Sequence, residues 1–206
     1  EPANAFAARS LFDLQMEAQD LAGATQTLRV MQTHLPGAAT LAAEARLQLG
    51  RNERPEALAT FENLCQSPDP EAWPVDATSE RLEQAGWSGR ALKTLRRALK
   101  TGSCNPQVAT AAIRLLLNRQ KDLAATRLFL RLPPGEPQRR AAAPLVLGLA
   151  NLKSPLLFRW LVWRRREVLT RDDEAWGHVG YALSEFKRHR AVMRWLADWR
   201  SRPDVQ

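Results

Sequence analysis

The sequence predicts an all-α fold, an array of about six antiparallel helix pairs. Three observations predict it: alanines return at a fixed interval, each heads an apolar stripe of helical spacing, and prolines stand where the units close. Ala24, Ala57, Ala91 and Ala125 are separated by 33, 34 and 34 residues, a period typical of stacked supersecondary units. Four residues after each Ala comes Leu28, Phe61, Leu95 or Phe129, and seven after comes Met31, Leu64, Ala98 or Leu132. An i, i+4, i+7 spacing lies on one helix face. Pro36 and Pro137 stand twelve residues after their alanines, Pro68 and Pro70 flank that position in the second unit, and Pro106 falls three residues late in the third. Proline there ends one helix and opens the next unit.

The units follow in order at about 3–36, 37–70, 71–105, 106–136, 137–171 and 172–203, one helical-repeat domain over residues 1–206. In each, a first amphipathic segment precedes the alanine stripe, clearest as Ala109, Ala112, Ile113, Leu116 and as Trp176, Val179, Gly180, Leu183. Turn signals split the pairs internally at Asp20, Gly50 to Asn52, Gly86 to Gly89, Asp122 and Ser154-Pro155, where Ser suits an N-cap and Pro the first helical position. Breaks between pairs fall at Pro36-Gly37, Ser67 to Pro70, Thr101 to Pro106, Pro133 to Pro137 and Asp172. The reading is twelve helices, with no strand alternation. In the fifth unit Phe158 replaces the small residue, so this unit should pack at a different angle. The sixth resumes with Ala191, Trp195 and Pro203.

Trp176, Val179, Gly180, Leu183, Ala191 and Pro203 resemble the tetratricopeptide signature of an aromatic, a Leu-Gly pair, a bulky residue, a small residue and a closing proline. Leu147-Gly148 repeats the pair one unit earlier, whereas the first three units lack it. RNA-reading helical repeats and prenyltransferase α-subunit repeats match these residues no better. The resemblance implies a right-handed α-solenoid and a non-catalytic protein-interaction scaffold. A small residue is needed wherever two helices cross at roughly 8–10 Å.

Composition excludes several other classes. A hydrophobic content of 45% with 25% charged residues fits a folded domain rather than a disordered chain. Apolar runs such as Ala141 to Ala150 fall short of the roughly 20 residues of a membrane-spanning helix. The opening Glu1-Pro2-Ala3, without Met or a basic-then-apolar leader, and the apolar Phe6, Leu11 and Phe12 suggest a piece of a longer protein. Cys65 and Cys104 form no metal-ligand spacing and are expected as free thiols, Cys65 as a small core residue beside Phe61 and Leu64. His34, His178 and His189 lie far apart, and no phosphate loop, GxSxG elbow or HExxH pair is present. No catalytic residue, cofactor or metal is expected.

Binding is the expected activity, and charge indicates where. Residues 1–85 carry net −7 and residues 86–206 net +15, so the second half should attract anionic partners. Five of seven tryptophans lie after residue 159, among many arginines. With Phe158, Leu161, Val162, Arg165 and Val168 as the buried stripe, Arg159, Trp163 and Arg166 share another face, flanked by Arg164. Such a face can hold an acidic peptide through charge-assisted hydrogen bonds and cation–π contact, or a phosphate backbone with a stacked base. The plainer alternative is a solvated flank with Trp163 packed on the next helix pair. Arg46, Glu80 and Arg114, 34 residues apart on first helices, are further candidate partner contacts, with solvated helix-surface charges as the plainer alternative, and Tyr181 is another candidate contact. Trp195 and Trp199 are expected in the core. The partner expected is a protein or peptide segment, an acidic one where it meets the basic half; nucleic acid is the alternative.

Overall fold

The computed structural model describes residues 2–35, 37–67, 73–101 and 105–202. Within them lie thirteen α-helices and no strand: α1 (Pro2–Glu17), α2 (Leu21–His34), α3 (Gly37–Gly50), α4 (Arg54–Gln66), α5 (Trp73–Gln84), α6 (Ser88–Ala98), α7 (Pro106–Asn118), α8 (Asp122–Arg131), α9 (Glu136–Asn151), α10 (Pro155–Arg164), α11 (Arg166–Arg171), α12 (Asp173–Glu185) and α13 (His189–Trp195). A short 3-10 turn, Trp199–Ser201, follows. No described helix is long and apolar enough to cross a membrane. Pro36, Pro68, Pro70, Cys104 and Pro203 lie outside the described residues.

The chain divides into two compact units, Glu1–Val108 and Ala109–Gln206, the division falling in the first turn of α7. In the first unit α1 packs on α2, α3 on α4 and α5 on α6, with α3 also against α5 and α4 against α6. The repeat alanines Ala24, Ala57 and Ala91 are fully buried here, beside buried Leu28, Phe61 and Leu95. In the second unit Ala125 and Phe129 are equally buried, α12 packs along α9, and α13 packs on α12.

A period that residue types only partly carry is written in the backbone. Gln19, Asn52, Gly86, Gln120, Lys153 and Lys187 all have positive φ, between 52° and 80°, at intervals of 33 or 34 residues. Each sits two places beyond a helix end, and the N–H of the next residue (Asp20, Glu53, Trp87, Lys121, Ser154, Arg188) donates to the carbonyl five residues back at 2.8–3.0 Å. The left-handed residue itself donates three residues back. This is the Schellman closure, which satisfies helix-end carbonyls that would otherwise lack donors. Glycine suits the left-handed position best, yet here it occurs only at Gly86.

Three expectations are corrected. The helix begun at Pro155 does not run on: Arg165 departs to φ −128°, ψ 28°, and α11 starts afresh at Arg166, which makes thirteen helices instead of twelve. The break rotates the buried stripe, so Leu169 is buried where Val168 was expected. Ser154 does stand before α10, but its hydroxyl donates to Asp122 Oδ2 on α8 rather than capping the helix. Finally, α13 has no buried residue, Trp195 is half-buried and Trp199 is 51% exposed. No further described helix covers their far side, so spacing alone does not bury them. Cys65, by contrast, is a buried free thiol as expected.

Candidate functional site

The site is built on α10, α11 and α13. Four earlier units place an alanine where α10 has Phe158, and the phenyl ring, 1% exposed, fills that crossing and meets Phe186 at 5.3 Å between centroids. In the first unit α6 packs along α4, but α13 makes no comparable contact with α10, and α11 is interposed in sequence. A groove of about 770 Å³ lies in the gap. Phe158, Val162, Leu183, Ala191 and Trp195 supply apolar surface, and Leu156, Trp160 and Trp163 stand at its exposed side, Leu156 at 77% and Trp163 at 74% exposure.

Three arginines complete the lining: Arg159 from α10, Arg166 from α11 and Arg194 from α13. No Asp or Glu lines the groove, and none of the three makes an ion pair among the described residues. The Arg166 guanidinium lies 5.8 Å from the centre of the Trp195 ring, close enough for cation–π attraction with its N–H donors still available. Arg202 behaves differently. It donates to Asp173, to Asp198 Oδ2 at 2.9 Å and to the Thr170 carbonyl at 2.9 Å, and stacks 4.3 Å over Trp176. Burial disfavours its charge, but the bonds to Asp173 and Asp198 outweigh this and hold its pKa above the ordinary value. Arg202 is paired with carboxylates; the three groove arginines are not.

No family model matches the chain, and no curated protein or solved structure matches it.

The expected site residues separate into groups. Arg159, Trp163 and Arg166 come together in the groove, while Arg164 is exposed at the end of α10 and does not line it. Tyr181 on α12 is 48% exposed and also lies off the lining. Arg46 on α3 bonds to Asp13 on α1 and lies 5.9 Å from the Phe12 ring centre, closing one side of a narrow cleft of about 80 Å³ in the first unit. Its side chain is 20% exposed, and its partner stands one repeat earlier. Glu80 on α5 and Arg114 on α7 are exposed, and Gln84 Nε2 donates to Glu80 at 3.5 Å. Sequence reasoning left Leu156, Arg194 and Trp195 out of the site. Arg194 and Trp195 belong to the same Arg/Trp cluster, and that composition was the available signal.

Proposed function

We propose that this chain is a non-catalytic protein-interaction scaffold, a right-handed solenoid of antiparallel helix pairs of the tetratricopeptide kind, that docks a partner segment in the groove of its basic second unit. The recurring Schellman closures and the buried alanines at helix crossings support the repeat reading. One observation carries the docking reading: three arginines line an apolar groove with no carboxylate among them. Guanidinium groups facing a concave, partly apolar surface without a counter-charge are stabilised by an anionic partner. The large exposed apolar side chains around them, Leu156 and Trp163, would be covered by the same partner.

The experiment is a pull-down with the intact chain against a triple charge reversal, Arg159→Glu, Arg166→Glu and Arg194→Glu, with nuclease treatment in parallel. A protein held by the intact chain, lost on reversal and retained after nuclease is expected. Capture that disappears only on nuclease treatment would transfer the site to nucleic acid, and identical capture by both chains would overturn the reading.

A further inference from the structure

The groove has two kinds of surface, and together they narrow what can occupy it. Its inner part, from Phe158 and Val162 across to Ala191 and Trp195, offers almost no polar group. The Trp195 indole N–H already donates to the Trp176 carbonyl at 2.9 Å. A nucleotide base seated there would leave its edge donors and acceptors unpaired, a cost that apolar burial does not offset. An aromatic or long aliphatic side chain carries no such cost. The charges come from three helices, Arg159 on α10, Arg166 on α11 and Arg194 on α13. At about 770 Å³ the groove falls within the roughly 300–1,000 Å³ of clefts that enclose most of a bound ligand, so it accommodates a row of side chains.

Building on the docking reading above, we infer that the occupant is an amphipathic helical segment of a partner protein. Its apolar anchors enter between α10 and α13, and its flanking carboxylates engage Arg159, Arg166 and Arg194. A groove between two helices suits a helix laid along it, with anchors at i, i+4 and i+7. Arg159 and Trp163, four residues apart on α10, present a charge and an aromatic within one turn of each other. They match a ligand face on which acid and anchor alternate at the same interval. Trp163 and Leu156, largely exposed without an occupant, would lose their water contact to such anchors.

The test uses the full chain and fluorescence-labelled probes of defined composition. One is a helix-forming peptide of about 18 residues with Leu and Phe at i, i+4 and i+7 and Glu beside them. The second is a scramble of the same composition, with no apolar face, and the third is a single-stranded oligothymidylate. The amphipathic peptide should bind at least about tenfold more tightly than the scramble. Arg194→Ala and Trp163→Ala should each lower its affinity by about tenfold without moving the thermal midpoint, since both positions are exposed. Equal binding of peptide and scramble, abolished by Arg194→Ala, would overturn the anchor assignment and leave the docking reading in place. Binding of the oligothymidylate alone would overturn both. Binding of no probe, or peptide binding indifferent to Arg194→Ala and Trp163→Ala, would overturn the inferred occupant.

Discussion

The indoles of Trp176 and Trp195 hydrogen-bond to each other's backbone: Trp176 Nε1 donates to the Trp195 carbonyl at 3.2 Å, and Trp195 Nε1 to the Trp176 carbonyl at 2.9 Å. Two residues 19 apart thus form a closed polar clasp. It matters because α13 has no buried residue. Where apolar burial contributes little, a few directed bonds set how firmly an element is held.

Trp195→Phe keeps an aromatic ring but removes the indole N–H that donates to the Trp176 carbonyl. The expected loss is about 1–2 kcal/mol, felt locally. Hydrogen exchange should accelerate across His189–Trp195 while α9 and α12 stay protected, and uniform acceleration through the whole second unit would contradict a local clasp.

The left-handed turn residues are a place to gain stability. Gln120→Gly and Lys153→Gly should each raise it by about 1 kcal/mol, because a side chain at positive φ costs roughly that much where glycine costs nothing. Gly86→Ala, at φ 80°, should lower it by a similar amount. Urea midpoints of the three variants provide the check.

Helix crossings should respond to size in opposite ways. Ala91 is fully buried, so Ala91→Trp should overpack its crossing and lower stability by about 3 kcal/mol or more. Phe158→Ala should cost about 3–5 kcal/mol from the lost ring and the void it leaves. Chemical denaturation distinguishes these from substitutions at exposed groove positions, such as Trp163→Ala, which should be nearly neutral.

Cys65 supplies a pH test. Burial, reinforced by the nearby charge of Glu62, pushes its thiol up to about 12. In the unfolded chain it ionises near 8.5, so above that pH the unfolded state releases a proton the folded state keeps. Stability therefore falls as pH rises from about 8.5 towards 12. The difference in stability between the wild type and Cys65→Ala should shrink over the same range. At pH 8 the folded thiol should resist disulfide reagents that act on thiolates and react once denaturant is added.

The fold was legible wherever residue type and packing coincide. Ala24, Ala57, Ala91 and Ala125 announced the period because a helix crossing admits only a small side chain, and all four are fully buried. The closing turns were less legible, since Gln19, Gln120, Lys153 and Lys187 carry no preference for positive φ; helix-end hydrogen bonding imposes it. The break at Arg165 was hidden inside a run of arginines with no glycine or proline to mark it. Two buried threonines also passed unnoticed. Thr27 donates to Gln15 and Thr60 to Gln48, the same side-chain bond one repeat apart.

For the groove, helical spacing alone grouped Arg159, Trp163 and Arg166 on one face. The opposite side was misread because Trp195 and Trp199 fall on an apolar stripe, and a stripe is buried only where another element covers it. Arg46 shows a related difficulty. A charge on a first helix reads as a free contact until the chain supplies Asp13 to meet it.

The six left-handed residues have a further consequence. Their side chains are Gln, Asn, Gly and Lys, yet the interval between them stays at 33 or 34. A backbone angle held by main-chain bonding tolerates many side chains at a cost of about 1 kcal/mol, so the metre of the repeat stands where its alphabet does not. Insertions and deletions are the changes that metre does not forgive. In a sequence whose units differ residue by residue, the repeat is recorded in where the chain turns rather than in what it is made of.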